Sequence, residues 1–411
     1  MCYTIRVMKP IVLFFQSTWS KSWRDKLTGA FQYADQVGWH IQVVEAGTTA
    51  SSVREVLRKW NPIGCMVDRG LQNSRPPVRT FGKIPVVFLD QYSKMAGMCT
   101  YLTHDSRASV VMAMDELIRI GLPRLAFLPW PKRCFWNTER LEAFRDTASR
   151  KKIEHFTLTP GDDLDRQLAE LPKPCGVICA NDITAQKMMS EAMRAGIAIP
   201  DELAVIGIDN DELICEHANP PLSSVYPSFV DAGYRIAEML HERIRNPKAR
   251  HLHASYGPKT LVRRESSRWM PNMDDRTRSA LDFIRKNFAD PDLTVGQVVE
   301  AMGCSRSMAD LLFRKSSGGS ILDEIQNMRL ENAFRLLRNP QQKIDSVPSL
   351  CGYRSEPFFK RLFKKKTGLT MREWRKRNTT NGEPTVRPTP LSAHTPARLL
   401  TVPGDNNLRL R

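Results

Sequence analysis

Short apolar runs alternate with amphipathic segments from Ile11 to Asn246. Polar turns bound each run, which favours buried strands, and the segments between the runs carry apolar residues at helical spacing. Buried strands that alternate with helices are typical of parallel α/β layers. The pattern therefore predicts an α/β fold with two doubly wound lobes and a cleft between them. The strand-like runs are Ile11–Phe15, Ile41–Val44, Cys65–Val67, Val86–Leu89, Leu125–Leu128, Val177–Cys179, Val205–Ile208 and Ser223–Val225.

A different pattern follows, in which one small unit is written twice. The copies are Leu293–Gly319 and Lys343–Thr370. Each contains an apolar-periodic segment, a turn with glycine, a serine and an amphipathic segment that ends in Phe followed by basic residues. A helix, a tight glycine turn and a second, capped helix make a helix-turn-helix unit, whose second helix enters the major groove of DNA.

Capping residues support two such units. Ser305 and Ser355 precede the two second helices, where a serine oxygen can accept a hydrogen bond from a free first-turn N–H. Between the copies, Ser320 precedes a long amphipathic segment, Ile321–Leu337. We expect that segment to be a helix that joins the two units rigidly.

These stretches resemble a known family. The segments CSRSMADLLFRKSSG, MRLENAFRLLR and CGYRSEPFFKRLFKKKTGLT are similar to the DNA-binding domain of the AraC/XylS family. The resemblance implies an all-α domain with two helix-turn-helix units that binds double-stranded DNA at operator half-sites. Pro348 departs from the family pattern, and because it removes one backbone hydrogen bond, the Ile344–Leu350 helix should be short or kinked. Met371 and Trp374 also depart from the pattern.

The first turns of the two second helices are the candidate base-reading positions. Lys360–Arg377 contains nine basic residues and one acidic residue. An ordinary solvated face is the alternative, but on a helix-turn-helix pair this charge favours phosphate binding. The residues predicted to contact DNA are Ser305, Arg306, Ser307, Met308, Asp310, Arg314, Arg354, Ser355, Glu356, Lys360, Arg361, Lys364 and Lys365.

Polar and aromatic residues follow the apolar runs of the α/β region. Ligands of open α/β sheets sit beyond the carboxyl ends of the strands, so these are candidate ligand contacts. Carboxylates, amides and an arginine can recognise hydroxyl groups, and tryptophan can cover the C–H face of a sugar. Two alternatives stay open: Asp182 and Asp209 as helix caps, and the tryptophans as core residues. The predicted ligand contacts are Trp19, Trp23, Asp90, Gln91, Trp136, Asn137, Arg140, Asn181, Asp182, Asp209 and Asn210.

The α/β region also resembles a known fold. The motifs IPVVFLDQ, GVICANDITA and ELAVIGIDNDEL, followed by PPLSSV, are similar to the LacI and periplasmic sugar-binding fold. Pro227 departs from it, at a position that often holds a contacting Gln, and Trp23 matches an aromatic position. The sugar-contacting positions implied are Asp90, Arg140, Asn181 and Asp209. Sugar-binding lobes followed by an AraC-type domain occur in one class of bacterial sugar-operon regulators. That resemblance alone implies D-xylose as the monosaccharide effector, a homodimer, and contact with RNA polymerase if the chain is an activator.

Composition narrows the class of protein. The chain has 411 residues, a net charge of +17 and 41% hydrophobic residues, which suits two or three folded domains. Nine cysteines without a CxxC pair are typical of buried thiols in a reducing compartment. No stretch approaches the roughly 20 apolar residues of a membrane span, and Ile11–Phe15 is too short for a signal peptide. We therefore expect a cytoplasmic protein without a membrane partner.

The patterns divide the chain into four parts. The two-lobed sugar-sensing domain is expected at 8–262, a linker at 263–273, the DNA-binding domain at 274–378, and a disordered tail at 379–411. No Walker loop, GxSxG turn, HExxH motif or metal-spaced cluster occurs, so neither an enzyme nor a metal or cofactor site is predicted.

Two other classes fit the sequence less well. A DNA-alkylation-repair methyltransferase would need a clustered four-cysteine zinc site, and a transport-associated sugar receptor would need a signal peptide. The prediction is a sugar-responsive, sequence-specific DNA-binding transcription regulator, and activation is implied by the family resemblance. A different sugar, or repression, is the alternative within the same architecture.

Overall fold

The computed structural model of the protein describes residues 9–16, 20–45, 49–69, 77–90, 98–132, 134–269, 274–317, 319–339 and 341–380. The chain forms two compact units, Met1–Pro271 and Asn272–Arg411. Trp19 and Gln91 of the predicted ligand contacts lie outside the described residues, as does most of the predicted tail.

Two sheets form the centre of the first unit. The strands are β1 (Ile11–Phe15), β2 (His40–Val44), β3 (Gly64–Asp68), β4 (Val86–Leu89), β5 (Thr100–His104), β6 (Arg124–Leu128), β7 (Glu154–Thr157), β8 (Cys175–Cys179), β9 (Leu203–Ile208), β10 (Ser223–Pro227), β11 (His253–Tyr256) and β12 (Pro258–Val262). Among the described residues, each sheet has six strands, in the orders β11-β5-β4-β3-β1-β2 and β12-β10-β9-β8-β6-β7. β12 is antiparallel to β10, and the other paired strands are parallel. Both lobes thus have the same doubly wound order, with a ligand crevice expected at the carboxyl ends of their strands.

Helices cover both faces of each sheet. They are α1 (Lys21–Val37), α2 (Ala50–Trp60), α3 (Ser106–Arg119), α4 (Phe135–Arg150), α5 (Leu164–Glu170), α6 (Asp182–Arg194), α7 (Glu212–His217) and α8 (Phe229–Arg245). In the first lobe, α1 and α8 bury one face of the sheet and α2 the other. In the second lobe, α3 and α4 cover one face, and α5, α6 and α7 the other. The predicted two-lobed α/β fold is confirmed.

The chain crosses between the lobes at three places. Asp105 connects β5 to α3, Ser228 connects β10 to α8, and Gly257 connects β11 to β12. The crossings are hydrogen-bonded to one another: Asp105 N donates to Tyr256 O at 2.7 Å, and Ser228 N donates to Gly257 O at 3.1 Å. Three adjacent connections form a hinge, because few backbone torsions separate two independently packed cores.

Four strands have no apolar run in the sequence, namely β5, β7, β11 and β12. β5 reads TYLTH, yet all five of its residues are buried, since the strand lies between β4 and β11 and the Tyr101 ring stacks on His253 at 4.2 Å. Residues 264–267, which the sequence places in the linker, are buried against the second sheet. There Ser266 Oγ donates to Val205 O at 2.6 Å.

Helices α1 and α8 approach until their backbones touch. A Cβ at Gly29 would lie 1.8 Å from the carbonyl oxygen of Val230, and a Cβ at Gly233 would lie 1.8 Å from that of Lys26. Such distances are far inside van der Waals contact, so neither position tolerates a side chain without a shift of the helices. The contact also fixes the height of Lys26 above the first sheet.

The second unit is a small all-α domain. Its helices are α9 (Asp275–Asn287), α10 (Val295–Ala301), α11 (Arg306–Ser317), α12 (Ile321–Arg338), α13 (Val347–Leu350), α14 (Glu356–Thr367) and α15 (Met371–Thr380). α10 and α11 form one helix-turn-helix unit, α13 and α14 form the other, and α12 joins them as predicted. A 3₁₀ turn at Ile344–Ser346 precedes the four-residue α13, so the helix that contains Pro348 is short, which confirms that prediction.

Capping and aromatic packing hold this domain together. Ser305 Oγ accepts from Met308 N, and Ser355 Oγ accepts from Phe358 N, both at 3.4 Å, so the two predicted caps are present. Trp374, which departs from the family pattern, is buried and stacks on Phe334 with ring centroids 4.9 Å apart. The departure therefore supplies an aromatic core residue.

We expect Gly233→Ala to destabilise the first unit by about 3 kcal/mol, the upper end for overpacking, because the obstacle is backbone on a facing helix. Gly196→Ala is the matched control. It has open space around it and a φ of +72°, so only conformational strain of about 1 kcal/mol is expected. Urea unfolding of the two variants measures both values, and equal losses would contradict the close approach of α1 and α8.

Candidate functional site

A buried lysine organises the carboxyl ends of the first sheet. Lys26 on α1 is 3% exposed, and its Nζ lies 3.0 Å from Asp68 Oδ2 and 2.6 Å from Asp90 Oδ2. Asp68 ends β3, and Asp90 follows β4. Burial alone would lower the pKa of Lys26, but the charges of the two carboxylates raise it above its ordinary value. Lys26 is therefore a permanent cation between two carboxylates.

Asp90 is held in one orientation at the edge of the cleft. Besides Lys26, the Tyr256 hydroxyl donates to its Oδ1 at 3.0 Å, and the His104 backbone N donates to the same oxygen at 3.1 Å. Its φ of +55° lies in the left-handed region, which is uncommon for a residue with a side chain and often marks a functional position. The carboxylate is thus oriented in advance of any ligand.

In the second lobe, an arginine of α4 and a carboxylate that follows β9 lie close together. Arg140 is 3% exposed, and its guanidinium lies over the Trp136 ring, 4.7 Å from the centroid. It donates to the Ala180 carbonyl, and its Nη2 lies 3.8 Å from Asp209 Oδ1. Asp209 has a φ of +118°, a second non-glycine residue in the left-handed region at a strand end. Burial raises the pKa of Asp209, while Arg140 opposes that rise.

Charges from the two lobes act on one another across this space. The positive charge of Lys26, in the first lobe, opposes the rise that burial causes in the pKa of Asp209, in the second lobe. His104 at the end of β5 has a pKa well below its usual range, because it is buried and because Arg140 and Lys26 add positive charge. Its ring is therefore neutral and hydrogen-bonds the hydroxyls of Ser106 and Ser109 at 3.2 and 3.1 Å.

Buried polar atoms near these strand ends include several without a hydrogen-bond partner among the described residues. Among them are Gln16 Oε1 after β1, Trp130 Nε1 after β6, and Arg140 Nε on α4. Gln16 uses its other polar atom to donate to the Trp23 carbonyl at 2.9 Å. Buried polar groups are normally hydrogen-bonded, so an acceptor and two donors left over beside a cleft favour a polar ligand there.

Four predicted ligand contacts use their polar atoms within the protein. Asn137 bonds the backbone of Trp130 in both directions, and Asn181 caps α6 by accepting from Thr184 N at 2.9 Å. Asp182 accepts from Asp211 N at 2.7 Å and from Ser224 Oγ at 2.5 Å, and Asn210 accepts from Arg264 Nη1 at 2.9 Å. The remaining described residues of the predicted set are Trp23, Asp90, Trp136, Arg140 and Asp209. Direct ligand contact by any member of the set stays a prediction.

One ion pair joins the lobes beside the cleft. Lys21, the first residue of α1, lies 3.3 Å from Glu212 of α7 and 2.8 Å from Asp25 of its own helix. Lys21 is also 5.7 Å from the ring centroid of Tyr226, at the end of β10. Glu212 follows Asp209 by three residues, so the ion pair lies close in sequence to the carboxylate that is predicted to contact the ligand.

The predicted DNA-contacting residues lie on the surface of α11 and α14. Most are exposed, and the partly buried ones are Asp310 and Glu356. In the free protein, five of the charged residues take part in three ion pairs: Arg306 with Asp310 at 3.1 Å, Lys360 with Glu356, and Arg354 with Asp292. Arg361, Lys364 and Lys365 extend an exposed basic surface along α14.

Comparison with known proteins agrees with both domains. A periplasmic binding protein-like domain model matches residues 114–267, and a helix-turn-helix domain model matches residues 298–377. The chain is 30% identical to the xylose operon regulatory protein of Haemophilus influenzae over 288 residues, which cover 67% of this chain and 74% of that protein. The protein of the same name from Escherichia coli K12 is also 30% identical over 288 residues, with 67% and 73% covered. The chain belongs to the family of xylose operon regulatory proteins.

A solved structure of a xylose-binding transcription activator is similar over most of this chain. Its TM-score is 0.71 at 25% identity, and the match covers 91% of this chain and 99% of that one. Membership of the xylose operon regulatory family confirms the main functional prediction, a DNA-binding transcription regulator with a sugar-binding domain. Among the described residues, no helix is long and apolar enough to cross a membrane. In that same part of the chain, no three His, Cys, Asp or Glu side chains are grouped to hold a metal ion.

Several residues near the cleft are not among those predicted from the sequence. Lys26 lies one helical turn after Trp23, and the signal that could have found it is a lysine on the apolar face of a predicted helix. Tyr256 and His104 end β11 and β5, the strands without an apolar run. Asp68 ends a predicted strand and could have been found by the rule that yielded Asp90.

We expect Lys26→Met to destabilise the first unit by about 3–5 kcal/mol, because it leaves two carboxylates facing each other without a counter-charge. Removing one of the two carboxylates as well should relieve their repulsion.

Urea unfolding of the two variants measures this deficit. Lys26→Met combined with Asp68→Asn is the matched control and should recover part of the loss. A double variant no more stable than Lys26→Met would show that the two carboxylates do not depend on Lys26.

Proposed function

We propose that the chain is a transcription activator controlled by D-xylose, which binds between the two lobes. The observation that carries the proposal is the arrangement of Asp90, Arg140 and Asp209, a preoriented carboxylate on one lobe facing an arginine–carboxylate pair on the other. Membership of the xylose operon regulatory family supplies the choice of sugar.

The cleft chemistry suits a small polyol. Carboxylates accept from sugar hydroxyls, and a guanidinium donates to them, in charge-assisted hydrogen bonds that are stronger than neutral ones. Gln16 Oε1 can accept from a hydroxyl, and Trp130 Nε1 can donate to one. The indole of Trp136 is fixed under Arg140, which leaves an apolar surface for the C–H face of a ring.

A sugar that contacts both lobes stabilises the closed cleft. The effector can act only to the extent that it binds the closed state more tightly than the open one. In the proposed mechanism the Lys21–Glu212 ion pair adds to the same closed state, because it forms between the lobes. Closure then changes how two chains associate in a homodimer or how the helix-turn-helix domain is presented to DNA.

On DNA, each domain places α11 and α14 in successive major grooves, about 34 Å apart along one face of the duplex. Arg306 and Arg354 read base edges, and Lys364 and Lys365 neutralise phosphates. As an activator, the protein would contact RNA polymerase. Its proposed location is the cytoplasm, where it would bind DNA.

Calorimetric titration with D-xylose, L-arabinose, D-ribose and D-glucose tests the effector. We expect saturable binding of D-xylose, and a Kd at least 10-fold higher for Asp209→Asn, because a charged hydrogen bond contributes about 1.5–3 kcal/mol. Asp115→Asn is the control, since that carboxylate pairs with Lys151 at an exposed site of the same lobe. If the protein bound one of the other sugars and not D-xylose, that sugar would be the effector. An unchanged Kd for Asp209→Asn would refute the assignment of Asp209 to the sugar-binding cleft.

Salt dependence tests the binding of phosphates. We expect Lys364→Ala to weaken binding to unrelated duplexes alike and to reduce the slope of log K against log salt by about 0.9 for each phosphate that is no longer neutralised. Lys248→Ala, an exposed lysine of the first unit, is the control and should leave the slope unchanged. An unchanged slope for Lys364→Ala would place Lys364 away from the phosphates.

A further inference from the structure

The two recognition helices carry large exposed apolar side chains at the same position. Counted from the capping serine, Met308 is the third residue of α11, and Phe358 is the third residue of α14. The backbone N–H of each donates to its capping serine, so the two positions are equivalent in geometry. Met308 is 43% exposed and Phe358 is 46% exposed.

Neither side chain is buried in the core that fixes the orientation of each helix, although the Phe358 ring lies 6.1 Å from the ring of the core residue Tyr353. The next residues, Ala309 and Phe359, are fully buried, as are Phe313 and Phe363 one turn further on. A single exposed apolar residue is ordinary on a protein surface. The same exposure at the same position of two helix-turn-helix units is a feature of the units themselves.

Each of the two helices also carries an ion pair in its first turns. In α11 Arg306 pairs with Asp310, and in α14 Glu356 pairs with Lys360. The pairs occupy the same two positions, the first and the fifth residue of each helix, but their polarity is reversed. The charged groups of each first turn are thus neutralised in the free protein, and the apolar side chain, two residues from each of them, projects from a different side of the helix.

The N-terminal turn of a recognition helix faces the base edges of the major groove. The apolar group that those edges offer is the C5 methyl of thymine. Resting on the proposed DNA-binding function, we propose that Met308 and Phe358 each read a thymine methyl. The operator half-site then has two required thymines about one helical turn, 10–10.5 base pairs, apart.

The order of the charges is reversed between the two helices, so their first residues, Arg306 and Glu356, prefer different bases beside the thymine. Arg306 suits guanine O6 and N7 beside the first thymine, whereas Glu356 can accept from cytosine N4 beside the second. Met308 and Phe358 therefore fix the spacing of the half-site, and the ion-pair residues distinguish its two ends.

Selection from a randomised duplex library, with the full-length protein and D-xylose, gives the preferred sequence. Each selected thymine is then replaced by deoxyuridine, which removes only the methyl group. We expect an about fourfold loss of affinity at two positions one turn apart, the value for one buried methyl. Phe358→Ala should abolish the loss at one position, and Met308→Ala at the other.

Phe31→Ala, a similarly exposed apolar residue of the first unit, is the matched control and should keep both losses. Two outcomes overturn the inference while DNA binding stands: uracil tolerated at every position, or truncation that weakens thymine and uracil duplexes alike. A library without any enriched sequence would instead refute the DNA-binding function and this inference with it.

Discussion

The backbone contact between α1 and α8 fixes the geometry of the ligand cleft. Gly233 touches the carbonyl of Lys26, and Gly29 touches that of Val230. Because this contact sets the distance between the two helices, it also sets where the ammonium of Lys26 lies, between Asp68 and Asp90. The position of the Asp90 carboxylate follows from this, since Lys26, Tyr256 and the His104 amide hold it by hydrogen bonds. The position of the carboxylate that a ligand meets at Asp90 therefore depends, through Lys26, on Gly29 and Gly233.

Much of the fold could be predicted from the sequence, because the buried central strands are continuous apolar runs. The strands that could not be predicted are those whose burial comes from neighbours: β5 is polar at three of five positions and is enclosed by β4 and β11. The cleft shows the same division. Asp90, Arg140 and Asp209 could be predicted because they follow apolar runs. Lys26 and Tyr256 could not, because their place in the cleft depends on helix packing and on an unpredicted strand.

Sequence also cannot separate a residue that faces a ligand from one that holds the loop behind it. Asn210 and Asp182 stand beside Asp209 in the pattern of strand-end polar residues. In the structure, Asn210 is bonded to Arg264, and Asp182 receives the backbone N–H of Asp211. Both are therefore satisfied by the protein. The difference between them and Asp209 lies in three-dimensional direction, which strand-end position alone does not encode.

The loop that these residues secure has two tasks. It carries Asp209, the candidate sugar carboxylate, and three residues later Glu212, which pairs with Lys21 across the lobes. Asp182 and Ser224 fix the loop from below, through bonds of 2.7 Å to Asp211 N and 3.0 Å to Asn210 N. A loop fixed in this way cannot adjust Asp209 and Glu212 separately. In the proposed mechanism, sugar binding and lobe closure therefore both act on this one rigid loop. The free energy of sugar binding then contributes directly to lobe closure.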